Sequence, residues 1–86
     1  MPQTVVTIYG KPGCHLCDEA RAAVAQARSV RDFDLREIDV SIDPGLSRKY
    51  GERIPVVAVD GNELFELGVS AEELGAALDR ASAEAR

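Results

Sequence analysis

No stretch of the chain approaches the ~18 consecutive apolar residues that a membrane span requires, so no membrane partner is expected. Basic residues are the scarcer sign: 10 Lys and Arg stand against 15 Asp and Glu, for a net charge of −5. Nucleic-acid backbones are gripped by clustered Lys and Arg, so no nucleic-acid partner is expected either. The first residues lack a basic segment followed by a long apolar core, which predicts no secretory leader and a cytoplasmic protein. Histidine occurs once and cysteine twice. Metal centres take three or four protein ligands. His15 adjoins Cys14 and does not easily share one ion with both thiols, so no metal site is assigned. Without an export signal, two cysteines read as a redox-active or metal-binding pair rather than a structural disulfide.

What is present suits one small domain. The 86 residues, 45% hydrophobic and 29% charged, have the balance of a folded chain, and residues 1–86 are read as a single unit. Its centre is Cys14-His15-Leu16-Cys17. Residues 4–9 (Thr-Val-Val-Thr-Ile-Tyr) are β-branched and apolar, the signature of a buried strand. Gly10-Lys11-Pro12-Gly13 then breaks the strand, and a helical pattern begins at the cysteines. At such a junction Cys14 falls near the N-cap and Cys17 one turn on, on the same face. The first N–H groups of a helix have no internal partner and carry partial positive charge. A thiolate on Cys14 is favoured there, and the thiolate is the reactive form. Cys17 is close enough to attack a mixed disulfide formed on Cys14. Asp18 and Glu19 suit the first turn of a helix but also oppose that ionisation.

The remaining pattern is an alternation of strands and helices. Residues 1–3 are expected to be an unstructured start. Over 15–29, Leu16, Ala20, Ala23, Val24 and Ala27 recur at helical spacing and give a small-residue face. Residues 33–40 alternate as a second strand, parallel to the first. Asp43 and Pro44 begin a short helix that Gly51 ends. Residues 56–59 are a third strand, Asp60-Gly61-Asn62 a hairpin turn and 63–67 the returning strand. Ser70 and Glu73 form a capping box for a last helix with Leu74, Ala77, Leu78 and Ala81 inward. One α/β domain with helices covering a four-stranded sheet follows.

Tyr9-x-Lys11-x-x-Cys14-x-x-Cys17 after the first strand, Ile54-Pro55 before the third, and a Gly68 turn before the final helix resemble the thioredoxin fold. Within it the chain is similar to the glutaredoxins. Tyr50-Gly51-x-Arg53-Ile54-Pro55-Val56 is very similar to the same stretch of short bacterial glutaredoxin-like proteins. The resemblance implies a β-α-β-α-β-β-α order with a mixed sheet, and a thiol–disulfide oxidoreductase acting on protein or small-molecule disulfides. Cys14 would be the attacking thiol and Cys17 the resolving one. Pro55 would be a cis-proline facing them, and the Ile54 backbone would pair with an extended substrate. Lys11 would hold a glutathione carboxylate, and Gly68 and Val69 would stand where the family grips the γ-glutamyl end. The chain departs from that family in carrying His15-Leu16 where Pro-Tyr is common, and Gly68-Val69-Ser70 in place of Gly-Gly-x-Asp-Asp. Ribonucleotide-reductase donors of this fold carry a Trp-rich C-terminal motif, and this chain has no Trp. No tightly bound cofactor is implied, the chain is expected to be monomeric, and the reductant is glutathione or a flavoprotein thioredoxin reductase.

Other readings remain at this stage. The cysteines also fit two small buried hydrophobes. By analogy with glutaredoxin relatives, they fit an iron–sulfur or metal carrier whose cluster is shared between two subunits and completed by glutathione. A redox-inactive partner-binding domain is a further alternative. Arg21 and Arg53 lend positive charge to the substrate face or simply solubilise it, and His15 is expected to be exposed.

Overall fold

In the computed structural model, which describes residues 4–84, four strands and three helices follow in the expected order. The expected unstructured start, residues 1–3, lies outside the described residues. Strand β1 (Val5–Gly10) leads into helix α1 (His15–Arg28), strand β2 (Asp34–Asp39) and a 3₁₀ turn at Val40–Ile42. Helix α2 (Pro44–Tyr50), the hairpin of β3 (Val56–Val59) and β4 (Asn62–Glu66), and helix α3 (Ala71–Glu84) complete the chain. The sheet order is β2-β1-β3-β4, with β1 parallel to β2 and antiparallel to β3.

The local causes are those the sequence contains. Asp43 caps α2 by accepting from the Gly45 and Leu46 N–H groups at 2.7 and 3.3 Å, with Pro44 in the first turn. Ser70 and Glu73 form the reciprocal capping box, each side chain bonded to the other's N–H at 3.0 Å. Asp60 and Gly61 both have positive φ, 51° and 85°, and join Val59 to its register partner Asn62 in a two-residue hairpin.

Alternation along the strands separates two cores. Val6 and Ile8 of β1 and Val57 and Val59 of β3 face α1 and α3, and meet Val24, Ala27, Phe33, Leu74 and Leu78. Tyr9 and Val56 face the opposite side and meet Val40, Tyr50, Ile54 and Cys17. The apolar stripe of α1 differs from expectation at its start. Cys17, Ala20, Val24 and Ala27 are buried, whereas Leu16 is 44% exposed. Helical spacing from Val24 and Ala20 runs back to Cys17, which takes the inward place expected of Leu16. Gly10 also differs: it does not break the strand but closes β1, paired in register with Asp39.

One irregularity sets up the site. In β4, Phe65 pairs with Val57 but Glu63 pairs with Ala58, so Leu64 is an extra residue in the ladder. Glu63 and Glu66, three apart, would otherwise point to opposite faces; the bulge puts both on the α2 side.

Candidate functional site

Cys14 is the N-cap of α1, with φ −94° and ψ 114°. Its sulfur accepts the Cys17 N–H at 3.3 Å, the bond a serine or aspartate oxygen makes at other helix starts. Cys14 is partly exposed, whereas Cys17 is fully buried, and both carry free thiols. This asymmetry divides their acidities. The Cys17 thiol, donating to the Cys14 sulfur, lowers the Cys14 pKa. The backbone N–H groups of Cys17 and Leu16 and the charge of Lys11 act in the same direction, against partial burial. Burial raises the Cys17 pKa, reinforced by its bond to Cys14 and the charge there. The Lys11 N–H and the Arg21 charge pull it down.

The acidic residues of the first turn do not undo this. Their side chains are largely exposed, Asp18 at 67% and Glu19 at 61%, where water screens them, whereas the N–H groups of the helix start bond the sulfur directly. The Cys14 sulfur should therefore titrate below an ordinary thiol, about 8.5. The iodoacetamide alkylation rate of the reduced protein, followed against pH, is expected to have its midpoint below that value, with Cys17 unlabelled. Lys11→Gln should move the midpoint up.

The other residues singled out in the sequence are distributed around the pair. Ile54 is buried in the same cluster as Cys17, with Cys14 packed against it, and the Ile54–Pro55 peptide bond is cis. Pro55 is fully buried. Lys11 lies exposed on the loop between β1 and Cys14. Gly68 has a φ of +147° and Val69 packs against the larger core rather than the cysteine cluster. The Leu67 N–H donates to the Arg53 carbonyl at 3.2 Å and ties this segment to the Ile54-Pro55 loop.

Beneath that loop is an assembly that periodicity does not reveal. Tyr9 and Tyr50 stack with centroids 4.2 Å apart, and the Tyr50 hydroxyl donates to Glu63 at 2.7 Å. Burial and that bond raise the Tyr50 pKa, which keeps it a neutral donor. Arg53 lies 5.5 Å from the Tyr50 ring centre and binds both Glu63, at 2.8 Å, and Glu66. The charge of Arg53 is thus spent on the bulged strand rather than left open to a substrate. The local pattern Asp60-Gly61 announces the hairpin, but only the bulge at Leu64 brings the two glutamates to one arginine. Among the described residues no three His, Cys, Asp or Glu side chains are grouped to hold a metal ion.

Comparison with known proteins agrees with this geometry. An uncharacterized protein of Mycobacterium tuberculosis, Rv0508, is 34% identical over 68 residues, covering 73% of this chain and 70% of its own. The structural-genomics target XcR50 from X. campestris superposes with a TM-score of 0.74 at 33% identity, over 87% of this chain and 96% of that one. Chloroplastic thioredoxin z shares the fold, with a TM-score of 0.74 at 15% identity over 94% of this chain and 80% of its own. Residues 5–79 match the family described as Glutaredoxin-like domain (DUF836). By sequence and by its thioredoxin fold, the chain belongs to this glutaredoxin-like family.

Proposed function

We propose that the protein is a cytoplasmic thiol–disulfide oxidoreductase working through Cys14 and Cys17. The observation that carries this reading is the split environment of the pair: a partly exposed sulfur on helix N–H groups, with a buried thiol one turn behind it. The Cys14 thiolate attacks one sulfur of a substrate disulfide. The S–S bond breaks, the departing sulfur takes a proton, and Cys14 is left in a mixed disulfide. Cys17 then loses its proton and attacks the Cys14 sulfur, and the second substrate sulfur leaves and is protonated. The substrate gains two electrons and the pair is left oxidised. Two thiols of glutathione, or a thioredoxin reductase, return the electrons.

In this scheme the Ile54 backbone pairs with an extended substrate and Pro55 shapes the surface opposite the sulfurs. Lys11 receives a substrate carboxylate, and a role for Gly68 and Val69 in binding is confined to their backbone, since the Val69 side chain packs into the larger core. Protein disulfides and small-molecule disulfides both fit such an open surface, and the protein acts as a monomer. No helix of the described residues is long and apolar enough to cross a membrane, in keeping with action in solution.

The test is a coupled assay on one model disulfide, run with glutathione and its reductase and, separately, with thioredoxin reductase. NADPH consumption that requires the protein in either arm is the expected result. No protein-dependent consumption in both arms would refute the activity, and the arm that turns over identifies the reductant.

A further inference from the structure

The two-step scheme leaves one question that the first cysteine does not answer. Once Cys14 is bound to substrate it holds no charge and its sulfur is a poor acceptor. Cys17, fully buried, must then ionise without the helix N-cap that serves Cys14. Something else has to favour that charge.

Arg21 is placed to do so. It lies four residues after Cys17 on α1, hence on the same helix face. A methyl group on Gly10 would stand 3.0 Å from the Cys17 sulfur and 3.9 Å from the Arg21 Nη2 atom. The sulfur and that nitrogen are therefore within about 7 Å of each other, across a space that has no side chain. Asp18 binds the guanidinium from its own helix and Glu37 from β2, each at 2.7 Å. Glu37 reaches it because its register partner in β1 is Ile8, which faces α1. Gly10, Lys11, Pro12, Arg21, Glu37 and Asp39 line a cleft of about 180 Å³ on this side of the pair.

We infer that Arg21 is a positioning residue for the resolving step, a fixed cation behind Cys17 that favours its thiolate once Cys14 is engaged in a mixed disulfide. The inference rests on the oxidoreductase reading above. Other charged or titratable groups around Cys17, among the described residues, are Cys14 and Asp18 on α1, Tyr9 from β1, Lys11 on the loop, Glu37 and Asp39 from β2, and Tyr50 from α2. Of these described residues Lys11 is the other cation, and its side chain is exposed on the loop before Cys14. Arg21 offsets one of the two charges of Glu37 and Asp18, so removing the arginine also leaves Cys17 near two carboxylates without that offset. The step balances without a further reactant: the proton that Cys17 gives up is matched by the one the leaving thiolate takes.

Stopped-flow reaction of the reduced full-length chain with dithiobis-nitrobenzoate separates the two steps. One nitrothiobenzoate is released as Cys14 attacks and the second as Cys17 resolves. In Arg21→Met the first phase is expected to stay within about twofold of the parent, while the second slows about three- to tenfold at low salt. Added salt should narrow the difference, and Arg21→Lys should restore most of the rate. A second phase as fast as the parent's overturns the inference. So does equal slowing of both phases with a lowered Tm, which is the mark of a merely structural arginine. If the parent chain shows no second phase that Cys17→Ser abolishes, the oxidoreductase reading itself fails, a result distinct from an arginine without effect.

Discussion

Replacing Cys14 by serine should abolish disulfide reduction, with the coupled rate falling by at least about a hundredfold, to background. The loss should be chemical and not structural. Cys14 is an N-cap, and serine is among the preferred N-cap residues, because its oxygen accepts the same N–H that the sulfur accepts here. Cys14→Ser is accordingly expected to match the parent in thermal stability while retaining no activity. Cys17→Ser should behave differently. Its attacking sulfur is intact, so the first step proceeds and the substrate stays attached, seen by mass spectrometry as a stable adduct on Cys14 that a dithiol reductant removes. The serine hydroxyl enters a fully buried position, is close in size to the thiol and can make the same donation to the Cys14 sulfur. Folding should therefore survive, and Cys17→Ala serves as a second variant that places no hydroxyl there. Substantial turnover by Cys14→Ser, or adducts that form on Cys17 first, would reverse the assignment of roles.

Much of this arrangement is legible in the sequence because its causes are local. The Ser70 and Glu73 capping box, the Asp43-Pro44 helix start and the hairpin at Asp60-Gly61 each depend on residues within a turn of one another, and each is present, although Asn62, read as part of the turn, opens β4, and Leu67, read as the last residue of that strand, lies beyond it with a φ of 62°. The cysteine pair at a strand-to-helix junction is of the same kind. Features that depend on two distant segments are not legible. Strict alternation separates Glu63 from Glu66 by face, and only the extra residue at Leu64 unites them around Arg53 and Tyr50. The competition between the helix N-terminus and the acids of its first turn is likewise undecided in one dimension. It is settled by geometry: the Cys14 sulfur accepts the Cys17 N–H and lies beside the Cys17 thiol, while Asp18 and Glu19 stay largely exposed. Leu16 shows a third limit: at a helix start the inward face is set by what lies across it, and Gly10 leaves room there for Cys17.

That room is the basis of the largest stability effect expected near the site. Gly10 has no positive φ to require glycine, and in an open strand Gly→Ala would stabilise by about 0.4–1 kcal/mol through the unfolded chain. Here the added methyl would meet the Cys17 sulfur at 3.0 Å and its Cβ at 3.3 Å, closer than ordinary contact. Neither partner yields easily, since Cys17 is fully buried in the first turn of α1 and Gly10 is hydrogen-bonded into the sheet beside Asp39. Overpacking of this kind typically costs about 1–3 kcal/mol, so the clash outweighs the gain and Gly10→Ala should lower the urea midpoint. The same displacement pushes Cys17 away from its place under Cys14, and release of substrate from the mixed disulfide should slow while the first attack persists. A second variant isolates the cause. In a Cys17→Ala background the 3.0 Å clash with sulfur is gone and only the 3.3 Å contact with Cβ remains, so Gly10→Ala should cost clearly less, giving a coupling of about 1 kcal/mol or more in a double-mutant cycle. An unchanged midpoint in Gly10→Ala, or equal costs in both backgrounds, would show that the bare backbone at the end of β1 is not what lets the resolving thiol sit so deep.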